Sequence, residues 1–345
     1  MKAPVVFGIA LVALAVPGGS LYYASGSSDS CARCHEIRPE TDKWHVSTHR
    51  TVACKGCHGE GMFDLAFHAG NLRRLFTHVS GEVPEKIRLR ESDVEKMAAR
   101  CRGCHRQELA DWKAGAHSAS YTRLFLDKEH NRRRLLMDDC LRCHGMFFEG
   151  SIGDLVSPVS TKGPWALKAA ALSAQPAIPC LACHAMHREG APAAKSASAA
   201  QQPVLRPSLA LWDRREGAHI SVTSMALPAM REGERVVKMS PDPRQALCYQ
   251  CHAPLASQAV WSGDDRTPVG VHEGLSCLAC HEKHAQSTRA SCANCHPRLS
   301  NCGLDVEKMD TTFRDLKSRF NIHTVKCADC HPKGVPPKRV IAAVR

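Results

Sequence analysis

Apolar residues are spread unevenly along this chain. One run, Ala3 to Ala24, holds 22 uncharged residues behind a single lysine. That is long enough for a helix to cross a bilayer. The same run also fits a cleaved export signal, with Ala3 to Val16 as its apolar region and Ala24-Ser25-Gly26 as a small-residue cleavage site. A retained anchor over 1–26 is the favoured reading; Pro17 and the two glycines after it weaken a membrane helix without forbidding it. Both readings send the rest of the chain out of the cytoplasm. Later periodic stretches are short. Leu65, His68, Leu72, Leu75 and Val79 fall at three- and four-residue spacing and predict an amphipathic helix over 63–79. Ser92 and Glu95 fit a capping box for a helix running through MAARCRGCH toward Trp112. Residues 127–144 also read as helix. From Gly190 to Ser208 the chain turns small, polar and proline-containing, as a linker would.

Cysteine changes the picture most. Eighteen of the nineteen cysteines form nine C-x-x-C pairs, each followed directly by histidine. The pairs are Cys31 and Cys34, Cys54 and Cys57, Cys101 and Cys104, Cys140 and Cys143, Cys180 and Cys183, Cys248 and Cys251, Cys277 and Cys280, Cys292 and Cys295, and Cys327 and Cys330. The histidines are His35, His58, His105, His144, His184, His252, His281, His296 and His331. Two cysteines three apart share one side of a helical turn. They can form thioethers to the two vinyl groups of one haem while the histidine turns to its iron, which is c-type haem attachment. Zinc ribbons pair C-x-x-C with C-x-x-C and do not fix a histidine after each. Disulfides would not need the histidine. Nine covalently bound haems c are therefore expected. Cys302 is left over and receives no role.

Composition fits that count. Only 5% of residues are aromatic, so porphyrins must supply much of the apolar interior. The expected fold is mainly α with much irregular structure and very little sheet, packed around the haems. The expected organisation is an anchor over 1–26, five motifs over 27–189, a linker over 190–210 and four motifs over 211–345. The net charge of +12 would suggest an acidic partner, but haem propionates contribute about −18 and oxidised centres about +9. Nucleic acid is rejected, because no stacking aromatics alternate with the basic residues.

Each attachment histidine supplies one axial ligand, leaving a distal position at each iron. Eleven histidines lie outside the motifs. The distal candidates are His49, His68, His117, His130, His187, His219, His272, His284 and His323. His45 and His78 are the weakest candidates, and one or both are read as spectators. CLACHAMH and CLACHEKH each place a further histidine three residues beyond the motif histidine. His187 and His284 cannot reach the far face of the haem held by their own motif, so each is expected to serve a neighbouring haem. The chain also carries an internal repeat. WKAGAH, CLRCH and CLACHAMH are followed by WDRREGAH, CYQCH and CLACHEKH.

The first 105 residues resemble the NapC/NirT family of membrane-anchored multihaem quinol dehydrogenases. The likeness lies in an N-terminal anchor close to CARCHEIRP, in WHVSTH leading into VACKGCHG, and in SGEVPEKIRLRE before ARCRGCH. The fourth motif extends it loosely to about residue 145. Some relatives carry methionine two residues after the first attachment histidine; here that residue is Ile37. The resemblance implies quinol, or another membrane donor, by the anchor near Cys31 and Cys34. It implies a periplasmic or outer-membrane redox protein as acceptor, and an inner-membrane location with the haem domain in the periplasm. Catalytic residues stay unassigned. Two other readings stand beside it: a terminal reductase of a small oxyanion or nitrogen compound with one open haem, and a soluble or filament-forming conduit.

Overall fold

The structure is a computed structural model. It describes residues 3–25, 31–32, 35–59, 69–70, 73, 76–81, 89–187, 208–227, 229–252, 270, 272–284, 295, 323 and 327–334. Cys34, Cys292, His296, Cys302, His68 and most of the linker lie outside the described residues.

Short helices and irregular chain dominate, with three two-stranded antiparallel sheets. The motifs themselves create much of the helix. In four of them the histidine N–H donates to the carbonyl of the first cysteine four residues back: His105 to Cys101 at 2.8 Å, His144 to Cys140 at 3.0 Å, His184 to Cys180 at 3.1 Å and His281 to Cys277 at 2.9 Å. That bond closes one turn and holds both thiols on one side. The second motif is itself a helix, Cys54–His58, and the sixth ends the helix Gln245–His252.

The N-terminal helix α1, Ala3–Ser25, has 23 residues. Val5, Val6, Phe7, Ile9, Leu11 and Leu14 along it are exposed. Among the described residues no helix is long and apolar enough to cross a membrane, so the anchor expected over 1–26 is not supported by the fold. Next come α2, Arg38–His45, and α3, Cys54–His58. Residues 76–79 are helical, the described end of the amphipathic stretch. Helix α4, Glu91–Cys101, starts on Arg90 without a side-chain cap. The Ser92–Glu95 box does not form, and Glu95 instead accepts from Gln175 at 2.6 Å. The chain breaks at the third motif before α5, Arg106–Ala114, so no single helix reaches Trp112. The 127–144 stretch is likewise divided. Asp127 caps a short helix, Lys128–Arg133, by accepting from the N–H groups of Glu129 and His130. A 3-10 turn at Asp138–Arg142 then carries the fourth motif's first cysteine.

Two apolar clusters brace the motifs from outside. Tyr121, Phe125, Leu136, Leu141, Leu155 and Val156 form one. Leu141 sits between Cys140 and Cys143 and is 0% exposed, so the fourth motif is pinned from within. Val94, Met146, Phe147, Leu181, Ala182 and Trp212 form the other. There Phe147 stacks on Trp212 with ring centroids 4.7 Å apart. Gly145, directly after His144, has φ +71°, and a Cβ there would lie 2.9 Å from Tyr121 Cε1. Only glycine suits that sharp exit from the motif.

After the linker the chain returns to the fifth motif. Strands β1, Ala210–Asp213, and β2, Ala218–Ser221, form a hairpin. Its start is stitched to that motif by Ala185 N–H to Ser208 O at 2.8 Å and Ala210 N–H to Cys183 O at 3.1 Å. The two copies of the repeat part company here. Trp112 lies in a helix and His117 in a 3-10 turn, whereas Trp212 and His219 are cross-strand neighbours. Only the two CLACH motifs keep a common 3-10 turn.

Candidate haem-binding sites

Histidine rings meet in pairs, and the pairs obey a rule. The centroids of His35 and His78 are 5.5 Å apart, His105 and His49 6.1 Å, and His58 and His187 5.7 Å. His252 and His117 are 6.1 Å apart, His184 and His284 6.2 Å, and His281 and His323 5.9 Å. In every pair one ring belongs to a C-x-x-C-H motif and the other does not. Two imidazoles on opposite faces of one metal, each with a metal–nitrogen bond of about 2 Å, need centroids roughly 6 Å apart. The donor set and its spacing therefore fit haem iron.

The outer ring nitrogens support the same orientation. His187 Nδ1 lies 3.0 Å from Glu40 Oε2, and His78 Nδ1 lies 2.5 Å from Glu36 Oε1. His130 Nδ1 meets Asn131 Oδ1 at 3.2 Å, and His49 Nδ1 meets Thr48 Oγ1 at 3.4 Å. A partner on Nδ1 fixes the ring and leaves Nε2 for a metal. Trp44 holds the His49 backbone through Nε1 to His49 O at 2.9 Å.

His219 follows the opposite pattern. Its Nε2 lies 2.7 Å from Leu181 O, and its ring rests edge-on against Trp212. Among the described residues it meets no motif histidine; it ties the hairpin to the fifth motif. His78, read as a spectator, stands with His35 instead. It does so beside Glu36, and the three offer ligand atoms within 4.8 Å of one another. His45 packs against Trp44. His144 feels the charges of His252 and His130, and its Nδ1 is buried without a hydrogen-bond partner among the described residues. The His272 carbonyl accepts from Leu275 N–H at 3.1 Å, and the His331 carbonyl from Gly334 N–H at 2.9 Å.

Electrostatics keep these rings ready to bind. Burial, helped by the charges of His252, His144 and His281, pushes His117 down to about 4. Burial does the same to His144, also to about 4. Both are neutral at physiological pH, the form that donates to a metal. The hydrogen bond from His187 holds the Glu40 carboxyl down to about 2.

The cysteines, which form no disulfide among the described residues, bring separate motifs together. Cys101 and Cys180 lie within hydrogen-bond reach, as do Cys143 and Cys251 and Cys248 and Cys277. A buried network supports the last contact. Asp242 binds Arg244 and accepts from Ser276 Oγ at 2.7 Å. Gln245, 0% exposed, accepts from Cys277 N–H at 3.1 Å. Met146 and Met186 belong to the apolar packing.

Two family models match the chain. Residues 26–196 match one described as outer membrane cytochrome MtrC/MtrF-like, domains II/IV. Residues 234–297 match one described as cytochrome c7 and related cytochrome c. No curated protein and no solved structure matches. The stretch that resembles NapC/NirT is thus matched by the MtrC/MtrF-like description, so the comparisons support the coarser reading and not that finer one. Covalently bound c-type haem follows from both matches. With cytochrome families matched on both sides of the linker, the chain is a multihaem c-type cytochrome.

Proposed function

We propose that this chain is a nonahaem electron conduit working outside the cytoplasm. The ring pairing carries the reading: six motif histidines each face a non-motif histidine at 5.5–6.2 Å. When bound, c-type haem supplies one-electron exchange between ferric and ferrous iron. The cysteines would tether each group, and the motif histidine and the histidine facing it would hold its iron. His130 is assigned to the site of His144, which feels its charge. At these six sites two histidines on one iron would leave no position for a small substrate, which favours electron transfer over a terminal reductase.

The donor is assigned to the first site. The His35 side chain there is 80% exposed, and the site follows the apolar α1 directly. A membrane quinol or a membrane redox protein fits that place, as the NapC/NirT resemblance implies. Whether α1 is retained as an anchor or removed as an export signal, the haem-bearing part lies beyond the inner membrane. The outer-membrane cytochrome named by the matching family supports a periplasmic or outer-membrane redox protein as acceptor. The test is EPR of the oxidised holoprotein. A wholly low-spin spectrum is expected; a stoichiometric high-spin haem would favour the reductase.

A further inference from the structure

The H-x-x-H units do more than add ligands. His184 faces His284, and His187, three residues on, faces His58. His281 faces His323, while its own downstream neighbour is that same His284. One turn of chain therefore reaches two ring pairs in each unit. Read along the chain, the second pair is joined to the fifth, and the fifth to the seventh.

We infer that the fifth haem site is the junction of the conduit, cross-linked to the second by His184-x-x-His187 and to the seventh by His281-x-x-His284. This rests on the electron-transfer reading and deepens it. The thiols give independent support. Cys180 of the fifth motif lies within hydrogen-bond reach of Cys101 of the third, and Cys248 and Cys251 of the sixth both feel Cys183. The fifth motif thus meets sites before and after the linker. Its backbone is locked there by the Ser208 and Ala210 hydrogen bonds. Ligands three residues apart cannot separate widely, so the cross-links hold neighbouring porphyrins at short range. Exchange between such sites would move a single electron, the donor iron oxidised from ferrous to ferric as the acceptor iron is reduced from ferric to ferrous, with no bond or proton changed. The two matched segments then form one electronic unit rather than two joined by a flexible tether.

The test uses the full holoprotein, with haem counted by intact mass. His187→Ala and His284→Ala are each expected to turn one low-spin haem high-spin in EPR, and the double variant two. Combining His187→Ala with His58→Ala should perturb a single haem, because both ligands serve one iron. Combining it with His184→Ala should perturb two. His187→Met and His284→Met guard against misfolding: each is expected to remain low-spin with one haem raised in potential. Unchanged low-spin counts in the alanine variants would overturn the junction, as would two haems perturbed by His187→Ala with His58→Ala. Either result would leave a working cytochrome. A wild-type chain free of haem would instead overturn the electron-transfer reading itself.

Discussion

The imidazoles of His117 and His252 stand 6.1 Å apart, inclined by 55°, although 135 residues and the linker separate them in the chain. A histidine ring from the first part of the chain thus stands at the sixth motif. Removing His117 is expected to leave that iron five-coordinate. His117→Ala should show one high-spin haem that binds carbon monoxide when reduced, against none in the parent. Absorption difference spectra with carbon monoxide measure it.

His78 and His219 should exchange the roles their sequence positions suggest. His78→Ala is expected to convert one haem to high spin, because it removes the ring facing His35. His219→Ala is expected to keep every haem low-spin. It should lower stability by about 1–2 kcal/mol through the lost bond to Leu181 O. EPR and thermal unfolding of the two variants separate these outcomes.

Glu40 tunes the ring it binds. Its carboxylate on His187 Nδ1, at 3.0 Å, makes the imidazole a stronger donor and so favours ferric iron. Glu40→Gln keeps a hydrogen bond but loses the charge. One haem should rise in potential, by on the order of 60 mV for a tenfold change in relative affinity, with no change of spin state. A spectroelectrochemical titration resolves the shifted component.

Acid should loosen the contact between the sixth and seventh motifs. Burial pushes the Asp242 carboxyl up, but hydrogen bonds from Arg244 and Ser276 and the charge of Arg244 outweigh it, leaving the pKa below the usual range. A carboxyl depressed in the folded state binds fewer protons there than in the unfolded chain. Its contribution is complete above the unfolded value of about 4 and fades as pH falls through the folded one. Asp242→Asn is expected to cost about 1–3 kcal/mol at pH 7. It should also flatten the fall in stability below pH 4, as urea midpoints at neutral and acid pH would show.

The chemistry was easier to read from the sequence than the arrangement. C-x-x-C-H is local, since one turn of chain holds both thiols and the ring, so the motifs announce themselves. The ring pairs depend on tertiary placement. His78 looked idle because nothing nearby in sequence marks it, yet the fold sets it beside His35 with Glu36 on its outer nitrogen. His219 looked apt because it follows a tryptophan as His117 does. The local sequence WDRREG, however, folds as a hairpin turn capped by Asp213, and that carries the ring to a carbonyl instead. The continuous helix expected through the third motif failed for a similar reason. The turn at Cys101–Cys104 answers to haem attachment, and the chain must restart at Arg106. Gly145 was a legible clue left unused: a glycine directly after a motif histidine marks a tight exit against a packed ring.

Intact mass of the purified mature chain, with iron measured on the same sample, tests the central claim most directly. The account predicts nine covalently attached haems and nine irons per chain, whether or not the N-terminal segment has been removed. A mass equal to the bare polypeptide, or iron replaced by zinc, would contradict it.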